Sequence, residues 1–154
     1  ASAKFRVNVA MMGKLGFDLN LHDLSAKDLA YCKQAVKNYN RLKPVILDGD
    51  QYRLVSPYDG DHAATMYVGK DKRQAVLFAF DIFPRYGREF EKPLHNVILN
   101  GLDANATYEV REIDREDCTV GEAKSYSGDY LMTVGLPLLS YNRLHSKVVE
   151  LTQK

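Results

Sequence analysis

The sequence predicts a mainly β protein: an antiparallel β-sandwich of Greek-key-like topology, preceded by a strand, a loop and a helix. Three observations lead to this fold class. Before residue 50, a helix-start signal is followed by apolar residues at three- and four-residue steps. After Gln51 the apolar period shortens to two, and turn residues separate short β-rich runs from there onward. We therefore expect two parts, residues 1–50 and residues 51–154, packed together.

The first element is predicted to be a β-strand over Phe5–Ala10. Apolar and polar side chains alternate along it, as they do on a strand with one buried face. The glycines of Met12–Gly16 then indicate a loop. Because no Gly-Lys-Ser or Gly-Lys-Thr follows, the Gly-x-x-Gly pattern is weak evidence for phosphate binding, and we interpret this loop as structural.

The clearest local signal is a helix start at Ser25. Its hydroxyl can cap the helix, while Asp28 stands three residues later and Leu24 and Leu29 occupy the positions of a hydrophobic staple. We expect Pro44 to end or restart this helix and the next three residues to form a second short turn. Four apolar residues at helical spacing are expected to form a buried stripe: Leu29, Cys32, Val36 and Tyr39.

Short strands separated by turns are predicted for the remainder of the chain. Ala63–Gly69 and Gln74–Asp81 form a hairpin, and Ala75–Phe80 is apolar on both faces, which places it centrally in a sheet. Further strands are expected at His95–Asn100, Thr107–Ile113 and Ser146–Gln153, with shorter ones near Tyr52–Leu54 and Gly121–Tyr126. The predicted core residues are Val76, Phe78, Phe80, Tyr108, Val110 and Leu151.

Composition argues against several classes of protein. The 154 residues carry 21 Lys and Arg against 20 Asp and Glu, so they lack the basic excess that nucleic-acid binders usually show. The longest apolar run, Ala75–Phe80, is far shorter than the ~20 residues that span a bilayer, and the N-terminal residues do not resemble a signal peptide. We expect a soluble protein without nucleic-acid or membrane partners, whose compartment the sequence leaves open.

The sequence contains little that resembles a catalytic or metal-binding motif. Its histidines are widely spaced, Cys32 and Cys118 lie far apart, and no nucleophile elbow is present. The carboxylates of Asp114, Glu116 and Asp117 cluster in a predicted turn, which we interpret as a solvated hairpin end. We therefore predict no catalytic residue, no metal site and no cofactor in this chain.

The loop Phe83–Phe90 stands out by its composition. It carries three aromatic residues and two arginines, a composition found on sugar-binding and protein-binding surfaces. The candidate interface residues are Phe83, Arg85, Tyr86, Arg88 and Phe90. Three interpretations stay open: a structural or interdomain contact, a site for a carbohydrate or protein ligand, and a mobile loop without a role.

Several short motifs follow one another in an order that is typical of one family. They are Met12–Leu19, Leu24-Ser25, Gly49–Leu54 with Ser56-Pro57, Asp71-Lys72 ahead of Ala75-Val76, Leu99–Asp103 with Tyr108, and Ser127–Met132 with Gly135-Leu136. From about Phe5 to Thr152 the chain resembles the C-terminal region of a bacterial α-galactosidase of glycoside hydrolase family 36.

This resemblance implies a parent enzyme in which a TIM barrel precedes an antiparallel β-sandwich. Phe5–Ala10 would be the last barrel strand, the helix from Ser25 the last barrel helix, and the residues from Gln51 the C-terminal sandwich that stabilises the barrel or its oligomer. The family's two catalytic aspartates belong to earlier barrel strands. The resemblance therefore implies that this chain is inactive by itself, while its parent is a retaining hydrolase of terminal α-galactosides.

The resemblance also implies where this chain meets the rest of its parent. Because barrel active sites lie at the C-terminal ends of the strands, Met11, Met12 and Gly13 are expected near the pocket mouth. The implied partners are the upstream barrel, its α-galactoside substrate and further copies of the chain. Without neighbouring barrel strands, residues 1–20 are expected to be poorly ordered or to pair with another copy. The alternative function is an independent carbohydrate-binding module or a protein-interaction domain.

Overall fold

The computed structural model describes residues 1–18, 20–82 and 94–154. In these ranges the elements are α1 (Ala3–Met11), α2 (Ala26–Asp48), β1 (Asp50–Val55), β2 (His62–Val68), β3 (Gln74–Asp81), β4 (Thr107–Glu112), β5 (Lys124–Ser127), α3 (Gly128–Thr133) and β6 (His145–Gln153). The strands form one antiparallel sheet in the order β1-β2-β3-β6-β4-β5. The mainly β, antiparallel fold class is confirmed.

The hairpin of β2 and β3 lies where the sequence predicted it. Its register runs from His62 opposite Asp81 to Val68 opposite Ala75. β3 has β2 on one side and β6 on the other, and it is buried from Ala75 onward. Its predicted central position is confirmed, and β1, β4 and β6 also match predicted strands, while β5 begins later than expected.

Each face of the sheet is covered by a separate apolar cluster. Alternate side chains of β3 point to opposite faces, so Phe78 contributes to the cluster beneath α1 and α2, whereas Leu77 contributes to the cluster on the other face. The six predicted core residues are all buried, and they divide between the clusters: Val76, Phe78 and Phe80 on the helical face, and Tyr108, Val110 and Leu151 on the other.

The face opposite α1 and α2 is covered by α3, through Leu131, and by the segments around Val97 and Leu136, rather than by a second ladder of strands. The predicted strand His95–Asn100 forms a single bridge, between Val97 and Leu136, so this prediction is wrong. The two residues exchange backbone hydrogen bonds of 2.8 and 3.0 Å. The apolar alternation that suggested a strand is real, because Val97 and Leu99 are buried while Ile98 is exposed. It reflects packing onto the sheet rather than pairing within a ladder.

Helix α2 begins as predicted, but Pro44 neither ends nor restarts it. The Ser25 hydroxyl accepts a hydrogen bond from the Asp28 backbone N–H at 3.1 Å, which confirms the cap. The helix continues through Pro44 to Asp48. Pro44 is exposed and the residues that follow it, Val45 and Ile46, are buried against the sheet. The free energy gained by burying these two side chains outweighs the loss of the backbone hydrogen bond that proline removes on the solvent side.

The buried stripe of α2 differs in phase from the predicted one. Cys32 and Tyr39 are buried as expected, Leu29 is half-buried, and Val36 is 37% exposed, so its predicted burial is wrong. The observed stripe consists of Tyr31, Cys32, Ala35, Tyr39, Leu42, Val45 and Ile46. The apolar spacing predicts that α2 has a buried stripe, but it does not determine which side of the helix carries that stripe. Contact with the sheet selects the buried side.

The predicted strand Phe5–Ala10 is an α-helix, and this correction is the largest in the fold. The Ser2 hydroxyl caps α1 by accepting the Phe5 backbone N–H at 3.1 Å. A helix satisfies its backbone hydrogen bonds internally, whereas a strand needs a neighbour. Residues 3–11 therefore pack on α2 and β6 as a helix, instead of exposing an unpaired strand edge.

Both predicted parts of the chain contribute to one cluster. Val7 and Met11 from α1 and Tyr39 from α2 lie in the same buried cluster as Phe78 and Val148 from the sheet. The change from helix to strand occurs between Asp48 and Asp50. The division into two domains at this point stays a prediction.

Candidate functional site

A buried polar network, which we call the Asn8 network, fastens α1 to the sheet. Its members are Lys4, Asn8, Tyr31, Asp114 and Ser146. Asn8 is fully buried, and its Nδ2 donates to Asp114 Oδ2 at 2.6 Å and to Ser146 Oγ at 3.0 Å. Its Oδ1 accepts a hydrogen bond from the Tyr31 hydroxyl at 2.8 Å. One asparagine thus joins α2, the segment after β4, and β6.

Asp114 carries the negative charge of the Asn8 network. It is 5% exposed, and Lys4 Nζ lies 3.1 Å from its Oδ2. Burial raises the pKa of Asp114 above its usual range, and the Lys4 ammonium opposes this shift. Within the part of the chain that the structure describes, Asp114 Oδ1 has no hydrogen-bond partner. The prediction that this carboxylate belongs to a solvated hairpin end is wrong, although Glu116 and Asp117 are exposed.

Two tyrosine hydroxyls hold the backbone where α1 ends. Tyr39 of α2 donates to the Gly13 carbonyl oxygen at 2.8 Å, and Tyr67 of β2 donates to the Met12 carbonyl oxygen at 2.7 Å. Both rings are almost completely buried. Burial raises the pKa of Tyr67, so its hydroxyl keeps its proton and remains a donor at neutral pH.

A second buried carboxylate, Asp81, connects the end of β3 to the beginnings of β2 and β6. It accepts hydrogen bonds from the Ser140 backbone N–H at 2.9 Å and from the Ser140 hydroxyl at 2.5 Å. His145 Nδ1 lies 3.2 Å from its Oδ2, and His62 Nε2 lies 3.5 Å from its Oδ1. His62 Nε2 is also 2.8 Å from the Ser140 carbonyl oxygen. This arrangement fastens the segment before β6 to the ends of β2 and β3.

The residues predicted from the sequence as site candidates are distributed as follows. Met11 is 2% exposed and packs in the helical-face cluster, whereas Met12 and Gly13 are half-buried in the turn that follows α1. The candidate interface residues of Phe83–Phe90 lie outside the described residues. Cys32 and Cys118 are free thiols.

Neither a metal-binding cluster nor a membrane-spanning helix is found among the described residues. In 1–18, 20–82 and 94–154 there is no group of three or more His, Cys, Asp or Glu side chains arranged to hold a metal ion. Across the same ranges, no helix is long and apolar enough to cross a membrane. The buried polar groups instead form anchors between segments of the fold.

Sequence reasoning did not find the Asn8 network or the tyrosine anchors. Asn8 lies on a segment that was predicted as a strand, and Asp114 lies in a predicted turn 106 residues away. Their neighbours in the sequence carry no signal that would pair them. The contacts arise from the tertiary packing of α1 across α2 and β6.

The antiparallel sheet, covered by α1 and α2 on one face and by α3 and two further segments on the other, defines a β-sheet domain with a core on each face. Residues 62–151 match the family described as Glycosyl hydrolase family 36 C-terminal domain. The chain belongs to this family, which confirms the resemblance found in the sequence. It corresponds to the non-catalytic C-terminal part of the family's α-galactosidases.

Curated relatives extend this likeness over most of the chain. Alpha-galactosidase AgaA of Geobacillus stearothermophilus is 33% identical over 138 residues, which is 90% of this chain and 17% of the relative. Probable alpha-galactosidase C of Aspergillus terreus is 36% identical over 146 residues, covering 94% of this chain and 18% of the relative. This chain thus spans less than a fifth of the length of these two relatives.

Solved structures are similar over the whole chain. The GH36 alpha-galactosidase AgaB from Geobacillus stearothermophilus matches with a TM-score of 0.82 and 32% identity, covering 100% of this chain and 20% of that one. A variant of AgaA from the same organism, solved in complex with stachyose, matches with the same TM-score, identity and coverage.

Proposed function

We propose that this chain acts as the C-terminal domain of a retaining α-galactosidase that hydrolyses terminal α-galactosides, and that it stabilises the catalytic barrel or its oligomer. The observation that carries this proposal is the match of the whole chain to one fifth of a solved α-galactosidase. In this assignment residues 1–50 complete the barrel and residues 51–154 form the C-terminal domain. The partners are the upstream barrel, its α-galactoside substrate and further copies of the chain.

The exposed surface of α1 and α2 supports a contact with the upstream barrel. Val9 of α1 is 45% exposed and Val36 of α2 is 37% exposed, both on helices whose opposite sides pack on the sheet. A mostly apolar groove of about 110 Å³ lies between α1 and the beginning of α2, lined in part by Ala10, Phe17 and Leu24. Apolar surface of this kind is suited to a protein contact. The position of Met11, Met12 and Gly13 near the pocket mouth stays a prediction, because it assumed a strand over Phe5–Ala10 where the structure has α1.

The test is replacement of the corresponding C-terminal part of AgaA from Geobacillus stearothermophilus by this chain. We expect the chimera to hydrolyse an aryl α-galactoside and to have the oligomeric state of AgaA by light scattering. AgaA truncated at the same junction should lose activity or melt at a lower temperature. A chimera no better than the truncated enzyme would contradict the proposal.

The isolated chain provides the complementary measurement. It should hydrolyse an aryl α-galactoside no faster than buffer, because a retaining mechanism requires two positioned carboxyl groups about 5–5.5 Å apart. The resemblance implies that the family's pair belongs to barrel strands that precede the region matched by this chain. Saturable binding of an α-galactosyl oligosaccharide to the isolated chain would favour the carbohydrate-binding alternative instead.

A further inference from the structure

A small cavity lies where α2 meets β6 and the segment that follows β4. The centre of a water-sized sphere has about 10 Å³ of free space in it. One bound water needs about 10–15 Å³ by the same measure, so the cavity has room for a single water molecule at most. Part of its wall is apolar and part is polar, formed among others by Ala35, Val148, Gln34, Asn38 and Asp114.

The Asp114 carboxyl group, which lines this cavity, has hydrogen-bond donors on one of its two oxygens. Its Oδ2 accepts from Asn8 Nδ2 at 2.6 Å and lies 3.1 Å from Lys4 Nζ. Its Oδ1 is buried, and no residue in 1–18, 20–82 or 94–154 donates a hydrogen bond to it. A buried carboxylate oxygen without a donor destabilises the folded state. Oδ1 therefore requires a donor that the described part of the chain does not supply.

The charges around the cavity favour a neutral donor over a cation. The Lys4 ammonium already balances the charge of Asp114, and Arg115 lines the same cavity. A further cation would be repelled by both of these side chains. A water molecule carries no charge, and it can donate to a carboxylate or accept from a carboxylic acid, so it suits either protonation state of Asp114.

We propose that this cavity binds one ordered water molecule, which donates a hydrogen bond to Asp114 Oδ1 and links it to the amide side chains of α2. On that helix Gln34 Nε2 donates to Asn38 Oδ1 at 3.4 Å, and Asn38 Nδ2 donates to the Ile113 carbonyl oxygen at 3.0 Å. From β6, the Val148 backbone N–H faces the Asp114 carboxyl group. Buried waters with about two to four polar partners of this kind are fixed parts of a fold. The water extends the Asn8 network from α1 and the sheet to the middle of α2.

The first test is a high-resolution crystal structure of this chain, from crystals grown without ammonium salts. We expect a density peak about 2.5–3.0 Å from Asp114 Oδ1 that refines as a fully occupied water. A cavity without a density peak would overturn the proposal. So would a side chain, such as the Arg115 guanidinium, that itself donates to Oδ1.

The second test detects the water in solution, by the nuclear Overhauser effect between water and the Val148 amide proton. The native chain should show this cross-peak, and Ala35→Val should lose it because the added methyl groups occupy the cavity. Ala30→Val is the matched control, since Ala30 is exposed on the same helix and the substitution has the same cost in helix propensity. This control should keep the cross-peak.

A further variant, Tyr31→Phe, removes a hydroxyl proton as an alternative source of the cross-peak, because Tyr31 also lines the cavity. The cross-peak should persist in this variant. A cross-peak that is absent from the native chain, survives Ala35→Val or disappears in Tyr31→Phe would contradict a water molecule at this position. If Ala35→Val does not fold, the crystal structure of the native chain decides the question by itself.

Discussion

Replacing Asn8 by alanine removes the central side chain of the Asn8 network. Three hydrogen bonds are lost, to Asp114, Ser146 and Tyr31. Two are between neutral groups, at about 1 kcal/mol each, and the bond to the Asp114 carboxylate is worth about 1.5–3 kcal/mol. Their loss should lower the free energy of unfolding by about 3–5 kcal/mol, because the partners stay buried without a replacement.

A double-mutant cycle separates the Tyr31 contact from the rest of the network. Tyr31→Phe removes a hydroxyl whose 2.8 Å hydrogen bond is to Asn8, and should cost about 1 kcal/mol in the native background. In the Asn8→Ala background it should cost close to nothing, which gives a coupling of about 1 kcal/mol. Urea unfolding followed by far-ultraviolet circular dichroism measures all four free energies, with the m-value as a check on two-state behaviour.

Asn105→Ala is the matched control, because Asn105 is exposed in the turn before β4. It should change the free energy of unfolding by less than about 0.5 kcal/mol. A comparably small effect for Asn8→Ala would show that α1 does not occupy its place across α2 and β6. It would favour the strand that the alternating pattern predicts over Phe5–Ala10.

Three further predictions concern the core, the charge and the helix cap. Phe78→Ala should lower the free energy of unfolding by about 3–5 kcal/mol, while Val36→Ala on the exposed side of α2 should cost less than about 1 kcal/mol; equal losses in urea unfolding would contradict the assignment of core and surface. Because burial raises the pKa of Asp114, its contribution to stability is fully present below the unfolded value of about 3.9 and is lost as pH rises through the folded value. The free energy of unfolding of Asp114→Asn, relative to that of the native chain, should therefore increase as pH rises from 3 to 7. A difference that does not depend on pH would refute this sign. Ser25→Ala should cost about 1 kcal/mol in thermal or urea unfolding through loss of the α2 cap, and Ser25→Thr, which keeps the acceptor and the donor to Asp28, should restore most of it.

The sequence alone was sufficient for the β2–β3 hairpin, the start of α2 and the family. These features depend on local or ordered signals: Ser25 caps a helix with an N–H three residues away, and the hairpin strands flank one polar turn. The buried run of β3 could be placed centrally because both of its faces are apolar. A local signal predicts the final structure correctly when the tertiary contacts favour the same structure.

Tertiary structure decided the features for which local signals were ambiguous or misleading. The alternating pattern of Phe5–Ala10 suits a strand, yet a strand requires a neighbour and a helix does not, so residues 3–11 satisfy their backbone as α1. Pro44 would end an isolated helix, but burial of Val45 and Ile46 keeps α2 continuous.

The candidate site is determined by tertiary structure most completely. Asp114 looks like a solvated turn residue until Asn8, 106 positions away, is packed against it. The hydroxyls of Tyr39 and Tyr67 reach neighbouring carbonyl groups only after α2 and β2 meet beside the end of α1. The physical reason is that a side chain's burial and its partner depend on distances in space, which periodicity and capping patterns along the chain do not encode.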